Sequence, residues 1–124
     1  MFKFKTHTLY IRLLTNKVTI RSIEKDITIE REAVNPFSNQ RMVLADFLNA
    51  EEFIRQIINE MYNHKRYIPS FKVIIQPIEK IEGGISPVEE RSFNDLAMHI
   101  GAKYVFIHRT KEILDDSRVK EIVK

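Results

Sequence analysis

The side chains most able to do chemistry are spread thinly along this sequence. Its four histidines are His7, His64, His99 and His108, and none has metal-ligand spacing to another histidine or to a carboxylate cluster. The sequence has no cysteine, which excludes thiolate nucleophiles, thiolate metal sites and disulfides. Its serines lie in no nucleophile-elbow pattern. We therefore expect no catalytic residue, no metal site and no bound cofactor, and we predict that the protein is not an enzyme.

Two acids have a placement that suggests a role. A two-metal nuclease needs carboxylates gathered from several strands, and the strand-like stretches here offer almost none. Asp46 is expected to cap a helix or shape a turn. Asp95 is expected to be solvated beside the apolar face of its helix. The glycine pair Gly83-Gly84 is expected to be a turn and not a phosphate cradle.

One group of aromatic and basic residues could form a contact surface. Aromatic rings beside basic side chains suit a contact with a protein or with single-stranded nucleic acid. A further tyrosine, Tyr10, is also expected at the surface. The predicted interaction surface consists of Tyr62, Lys65, Arg66, Tyr67 and Arg109.

The first third of the chain predicts a meander of three strands. Apolar and polar residues alternate across residues 2–13, 18–23 and 27–29, which is the period of a half-buried strand. Thr15-Asn16 and Lys25-Asp26 supply turn-forming residues between these segments. The segments should therefore pair as neighbours.

A helix and a buried strand should follow the meander. Asn49 is predicted to begin the helix as its N-cap, with Glu52 at the capping-box spacing. The helix should end near His64, before Pro69. Phe71–Ile75 is a short and nearly continuous apolar run, which suits a strand that is covered on both faces.

Residues 83–108 contain the clearest local signals. Ser86 is a predicted N-cap, Pro87 occupies the first helical position, and Glu89 completes a Ser-x-x-Glu box. Gly101 should end this helix in the left-handed conformation. Tyr104–Ile107 is then predicted to be another buried strand.

The whole pattern predicts an α/β fold. The element order is β-β-β-α-β-α-β, with a short helix within residues 111–123 that Asp115-Asp116-Ser117 could interrupt. Strand–helix–strand connections usually join parallel strands, so the last strands should be parallel to a neighbour. We expect one domain over residues 1–124, with a mixed five-stranded sheet of the ribonuclease-H-like type.

Composition excludes several other classes of protein. At 124 residues the chain can form one core, and its 44% hydrophobic and 30% charged residues are ordinary for a soluble domain. A net charge of +3 with mixed signs does not predict nucleic-acid binding. No apolar run approaches the ~18 residues that span a bilayer. Charges interrupt the first residues, unlike a signal peptide, so we expect a cytoplasmic protein.

Two stretches of the chain have a distinctive order of residues. The first is Val43-Leu44-Ala45-Asp46-Phe47, followed by the predicted helix and a strand that ends at Pro77. The second is the run 84–92 with residues 97–107. Together they resemble the MreB family of bacterial cell-shape proteins, which belong to the actin-like ATPases, and the second is similar to the family's Gly-x-Thr-x-Val-Glu-x-Arg-Ala helix, Gly-Ala turn and following strand. The resemblance implies half of one lobe of an actin-like ATPase.

The chain departs from this family where a nucleotide would bind. The superfamily has an Asp-x-Gly-Thr phosphate loop between its first two strands, where glycine lets backbone N–H groups approach phosphate. The matching stretch would be Lys3–Tyr10, which has Thr6 and Thr8 but neither aspartate nor glycine. Where the family has a glutamate-proline pair, the chain has His108-Arg109. We therefore expect no nucleotide hydrolysis.

These departures lead to a functional expectation. We expect a non-catalytic MreB-like domain that acts as a protein-interaction or assembly module in rod-shape or cytoskeletal organisation. Its partner should be another protein or a second copy, and not nucleic acid, a membrane or a small-molecule substrate. Two alternatives stay open. One is a divergent nucleotide-binding remnant around residues 6–8 and 83–84, and the other is a weak nucleic-acid-binding module centred on Lys65, Arg66 and Arg109.

Overall fold

A mixed five-stranded sheet lies at the centre of the computed structural model, which describes residues 6–63, 68–80 and 83–124. The order of elements confirms the predicted ribonuclease-H-like α/β fold. The elements are β1 His7–Leu14, β2 Lys17–Ser22, β3 Ile27–Glu32, α1 Phe47–Met61, β4 Phe71–Pro77, α2 Pro87–His99, β5 Ala102–Ile107 and α3 Asp116–Ile122.

The sheet has the strand order β3-β2-β1-β4-β5. β1 pairs antiparallel with β2, and β2 pairs antiparallel with β3, which confirms the predicted meander. β4 is parallel to both β1 and β5, which confirms the predicted parallel pairing of the last strands. β1 is therefore the central strand, with antiparallel partners on one side and parallel partners on the other.

Helices cover the two faces of the sheet unequally. On one face α1 and α2 pack over alternate residues of β1 and β4, and on the other α3 covers a smaller area. Because both faces of β1 and β4 are covered, most of their residues are buried. Each fully buried aliphatic or phenyl side chain contributes about 1.5–3 kcal/mol relative to an exposed one. The larger core includes Leu9, Ile11, Leu13, Ile54, Ile57, Val73, Phe93 and Leu96, and the smaller one Tyr10, Ile74, Leu114, Val119 and Val123.

The first helix starts three residues earlier than predicted. Asp46 is its N-cap, and the Asp46 carboxylate accepts a hydrogen bond of 3.0 Å from the backbone N–H of Asn49. The prediction that Asn49 caps the helix was wrong, and the expected capping role of Asp46 is confirmed. Phe47 packs against the larger core, so the helix that includes it gains apolar burial. Met61 is the last helical residue, and the predicted end near His64 falls in residues 64–67, outside the described part.

The second helix follows its local signals. The Ser86 hydroxyl accepts a hydrogen bond from the Glu89 N–H, and the Glu89 carboxylate accepts one from the Ser86 N–H, each at 3.2 Å. Pro87 is the first helical residue, and Gly101 follows the helix with φ of +106°. Gly84, at φ +86°, makes the preceding turn. All of these predictions are confirmed.

The last strand differs from its prediction, whereas the last helix lies within the predicted residues 111–123. β5 lies at the outer side of β4, and Tyr104 is 51% exposed, so the prediction of a buried strand was wrong. Its apolar run resembles that of a central strand, but in the described chain β5 pairs with only one strand, β4. α3 begins at Asp116 with Asp115 as N-cap, because residues 111–115 cross the sheet in a non-helical conformation.

Candidate functional site

The carboxyl ends of β1 and β4 meet at one end of the sheet, where open α/β sheets generally bind ligands. The turn Thr15-Asn16 joins β1 to β2 there, as predicted. The resemblance noted in the sequence analysis matched the phosphate loop of that family to Lys3–Tyr10. Residues 3–5 lie outside the described part of the chain. Thr8 and Tyr10 lie within β1. The structural counterpart of a loop between the first two strands is therefore Thr15-Asn16.

The N–H groups of this turn already have partners within the chain. The Thr15 N–H donates to a Glu79 carboxylate oxygen at 2.7 Å, and the Asn16 N–H donates to the Ser38 hydroxyl at 3.0 Å. The side-chain oxygen of Asn16 accepts from the N–H groups of Phe37 and Ser38 at 2.9 and 2.7 Å. Asn16 has φ of +51°, a left-handed conformation that asparagine tolerates. The turn is thus held by side chains from two other segments.

Glu79 places a negative charge at this turn. The hydrogen bond from the Thr15 N–H holds the pKa of Glu79 below its usual value, because it stabilises the ionised carboxylate. A phosphate that approached the Thr15 N–H would have to displace this anion. The Thr15 N–H at this turn is therefore already engaged by an anionic side chain.

The predicted interaction surface is only partly tested. Lys65, Arg66 and Tyr67 lie outside the described residues. Arg109 is at the surface, where it forms an ion pair of 2.9 Å with Glu90. Tyr62 is only 3% exposed, so its assignment to this surface was wrong.

The reason for the burial of Tyr62 is a set of contacts across the core. Its hydroxyl lies 2.8 Å from His7 Nδ1 and 3.0 Å from the Ser22 hydroxyl. Its ring centroid lies 5.5 Å from that of Phe71. Burial raises the pKa of Tyr62. This tyrosine stabilises the junction of α1 with the sheet and is not available to a partner.

Tyr10 is also buried, at 4% exposure, which contradicts the surface position expected for it. Its hydroxyl donates to the side-chain oxygen of Gln76 and accepts from the Leu114 N–H at 3.2 Å. The Gln76 amide nitrogen donates to the carbonyl oxygens of Thr110 and Glu112 at 2.7 and 2.6 Å. Burial raises the pKa of Tyr10. This network attaches residues 110–114 to the sheet.

A bidentate ion pair attaches the start of α3 to β2. Arg21 donates from Nε and Nη2 to the two carboxylate oxygens of Asp116, at 2.6 and 2.7 Å. Its Nη2 also donates to Asp26 at 2.7 Å. The hydrogen bond from Arg21 holds the pKa of Asp116 below its ordinary value.

Replacing Asp116 by asparagine should therefore have a pH-dependent cost. The folded-state pKa of Asp116 is depressed, so its contribution to stability is present above the unfolded pKa of about 3.9 and is lost as pH falls through the folded value. Urea unfolding from pH 7 to pH 2.5 should show wild type more stable than Asp116→Asn at neutral pH, with the difference vanishing in acid. Asp95→Asn, at an exposed position, is the control. A difference that does not change with pH would contradict the prediction.

The described histidines have partners other than metal. His99 Nδ1 lies 2.6 Å from a Glu51 carboxylate oxygen, and His108 Nε2 lies 2.8 Å from the Thr110 hydroxyl. Within residues 6–63, 68–80 and 83–124, no three His, Asp or Glu side chains are grouped closely enough to hold a metal ion. No helix in the same residues has the length and apolarity needed to cross a bilayer.

An open groove lies between α2 and β5. Val105 and Ile107 form its floor on the strand, and both are half-buried. Asp95 from α2 is exposed on its wall. The groove also contains the ion pair of Glu90 with Arg109.

Comparison with curated proteins finds a relative that is itself uncharacterized. No protein-family model matches the chain. The chain is 28% identical over 124 residues to the uncharacterized protein YjaA of Escherichia coli (strain K12), covering 94% of this chain and 96% of that protein.

Solved structures show what the fold is. MreB 5 of Spiroplasma citri, in a crystal structure with AMPPNP bound, matches 86% of this chain with a TM-score of 0.60 and 12% identity. EutJ, an ethanolamine utilization protein from Carboxydothermus hydrogenoformans, matches 83% with a TM-score of 0.50 and 10% identity. The fold is that of an actin-like ATPase half-lobe. The resemblance inferred from the sequence is thereby confirmed.

This actin-like half-lobe corresponds to part of each solved structure. It spans 39% of the MreB 5 chain and 37% of the EutJ chain. At these identities the likeness shows the fold alone, and the nucleotide in the MreB 5 crystal is a property of that protein.

Sequence reasoning predicted the Thr15-Asn16 turn but did not find Glu79 and Ser38, whose side chains accept hydrogen bonds from its N–H groups. Asn16 has a local signal, because asparagine is common in turns. No local sequence signal identifies Glu79, since this residue lies 64 positions from Thr15 in the sequence. The parallel pairing of β1 with β4 brings the two residues together.

Proposed function

We propose that this actin-like half-lobe is a non-catalytic interaction or assembly module. The observation that supports the proposal most directly is the state of the β1–β2 turn. Glu79 and Ser38 occupy the N–H groups of Thr15 and Asn16, which in a phosphate loop would face the nucleotide. An ionised carboxylate in that place repels a nucleotide phosphate.

The interaction role has its own support. The described surface includes an outer strand with an exposed tyrosine and a groove beside it, features that suit a protein partner. The resemblance to the MreB family suggests cell-shape or cytoskeletal organisation as the setting in which to look for that partner. We propose the cytoplasm as its compartment, which the absence of cysteine favours.

Titration calorimetry with ATP and magnesium tests the non-catalytic part. We expect no saturable heat at millimolar nucleotide and no phosphate release above the rate in buffer, because the turn presents a carboxylate to the phosphates. A nucleotide-binding actin-like protein in the same buffer is the positive control. Saturable binding with phosphate release by the wild-type chain would contradict the proposal.

The variant Glu79→Gln tests whether the negative charge of this side chain is what excludes a nucleotide phosphate. It removes the negative charge and keeps an oxygen that can accept from the Thr15 N–H. If the carboxylate is what excludes phosphate, the variant should bind nucleotide no more weakly than wild type. Wild-type binding that is abolished by Glu79→Gln would show instead that the carboxylate serves a nucleotide site.

A further inference from the structure

The outer edge of β5 is open only after a bulge. The register with β4 shifts by one residue between Ala102 and Tyr104, so Lys103 is an extra residue outside the regular alternation. From Tyr104 to Ile107 the two strands pair without interruption. In the part of the chain that the structure describes, no strand pairs with the other side of β5. The edge that an added strand could use is therefore residues 104–107.

The directions of the backbone groups in this edge follow from the bonds to β4. His108 donates its N–H to the Ile75 carbonyl at 2.8 Å, so Ile75 faces β5. Its register partner, Ile107, therefore directs its own N–H and C=O away from the sheet. Because strand residues alternate after the bulge, Val105 also points outward. These two residues present donors and acceptors that can pair with another strand.

The side of this edge that faces α2 is apolar at its floor. Val105 and Ile107 direct their side chains into the groove, where both are half-buried. The charged residues that line the groove are two acids and two bases, so their charges balance. An apolar side chain of a partner suits this side, because it would cover the floor.

The side of the edge that faces α3 is basic and aromatic. Tyr104 is 51% exposed, and Lys103 Nζ lies 5.9 Å from the centre of its ring. Lys72 is the register partner of Tyr104, and its Nζ donates to the Val123 carbonyl at 3.2 Å. Lys103 is exposed and forms no ion pair with any described residue. An acidic side chain of a partner is complementary to this side.

We propose that residues 104–107 bind an extended acidic peptide segment of a partner protein as an added strand. An extended chain presents successive side chains to opposite faces, so apolar residues would enter the groove and acidic residues would lie beside Lys72 and Lys103. Single-stranded nucleic acid could also stack on Tyr104, but it would leave the apolar floor and the outward backbone groups unused. The proposal deepens the proposed function by naming the kind of partner, and it rests on that function.

Fluorescence anisotropy with synthetic peptides tests the charge preference. The probe is a labelled peptide of about eight residues that alternates valine with glutamate, and the same peptide with lysine for glutamate is its control. The valine–glutamate peptide should bind saturably and lose affinity as salt is raised, because the lysines it meets are at the surface. Lys103→Glu should weaken this binding about threefold to tenfold. Arg41→Glu, the same charge change at an exposed position before α1, should leave it unchanged.

Hydrogen exchange and a proline variant test the added strand. Saturating valine–glutamate peptide should slow exchange of the outward N–H groups of Val105 and Ile107 more than that of Phe106, which bonds towards β4. Val105→Pro removes an outward N–H, and an edge strand tolerates proline where the N–H faces solvent. It should weaken binding about fivefold or more relative to Val105→Ala, which keeps that N–H. Exchange in the wild-type chain decides the question if Val105→Pro does not fold.

Four outcomes would overturn the peptide site. They are a wild-type chain that binds no valine–glutamate peptide at millimolar concentration, equal binding of the valine–lysine peptide, binding that leaves exchange at Val105 and Ile107 unchanged, and tighter binding of an oligothymidine, which would indicate nucleic acid. Self-association of the wild-type chain that Val105→Pro abolishes would assign the edge to a second copy instead. A chain that binds neither peptide nor ATP would refute the peptide site and leave the non-catalytic module intact. Nucleotide turnover would refute the module itself, whether or not the peptide binds.

Discussion

Phe71→Ala is expected to lower the free energy of unfolding by about 3–5 kcal/mol, the usual cost of truncating a buried phenylalanine. Phe71 is 1% exposed and is the first residue of β4. Its ring packs edge-on against Tyr62 at the end of α1, with 5.5 Å between centroids. It also lies directly beside Gly101, where α2 turns into β5. The truncation would leave a cavity where these elements meet.

Urea unfolding followed by circular dichroism measures this loss. Small domains have total stabilities of about 5–15 kcal/mol, so the variant should be close to its folding limit. Leu48→Ala is the matched control, because Leu48 is 72% exposed on α1 and its truncation should change stability by less than about 0.5 kcal/mol. A loss below about 1 kcal/mol for Phe71→Ala would mean that the ring is not enclosed as described.

Gln76→Leu is expected to cost about 2–4 kcal/mol, although leucine has a similar size and is apolar. Gln76 is 0% exposed and bonds the Tyr10 hydroxyl and two carbonyl oxygens, those of Thr110 and Glu112. Leucine replaces none of these bonds, and a buried polar group left without a partner costs about 1–3 kcal/mol. The carbonyl oxygens of Thr110 and Glu112 should recover part of this free energy by accepting hydrogen bonds from water.

Hydrogen exchange distinguishes this mechanism from a general loss of packing. In Gln76→Leu the N–H of Leu114, which donates to the Tyr10 hydroxyl, should exchange faster than those at the centre of β1. Gln56→Leu, at an exposed position of α1, should change neither stability nor exchange appreciably. If Gln76→Leu were as stable as wild type, the network would not be what holds residues 110–114 on the sheet.

The first residues of the two long helices show which helix boundaries local sequence signals can predict. The second helix was predicted correctly at both ends, because its capping box, proline and glycine act through bonds between residues a few positions apart. The first helix was predicted three residues late, because Asp46 and Asn49 are both good caps. The choice depended on Phe47, whose packing against the core is a tertiary contact.

The two tyrosines placed wrongly at the surface have a common cause. Local periodicity shows which residues share a face of a strand or helix, but it does not show what covers each face. Tyr10 lies on the face that α3 covers, and Tyr62 meets residues of β1, β2 and β4. Both hydroxyls find partners distant in sequence, and that allows their burial.

The sequence by itself determined the order of the elements, the α/β class, the likeness to an actin-like half-lobe and the capped second helix. These depend on periodicity and on contacts between near neighbours. Only the tertiary structure decided that β5 is an outer strand and that Glu79 occupies the Thr15 N–H. Strand order and the meeting of distant residues follow from which surfaces pack together across the sheet, and no local pattern encodes that choice.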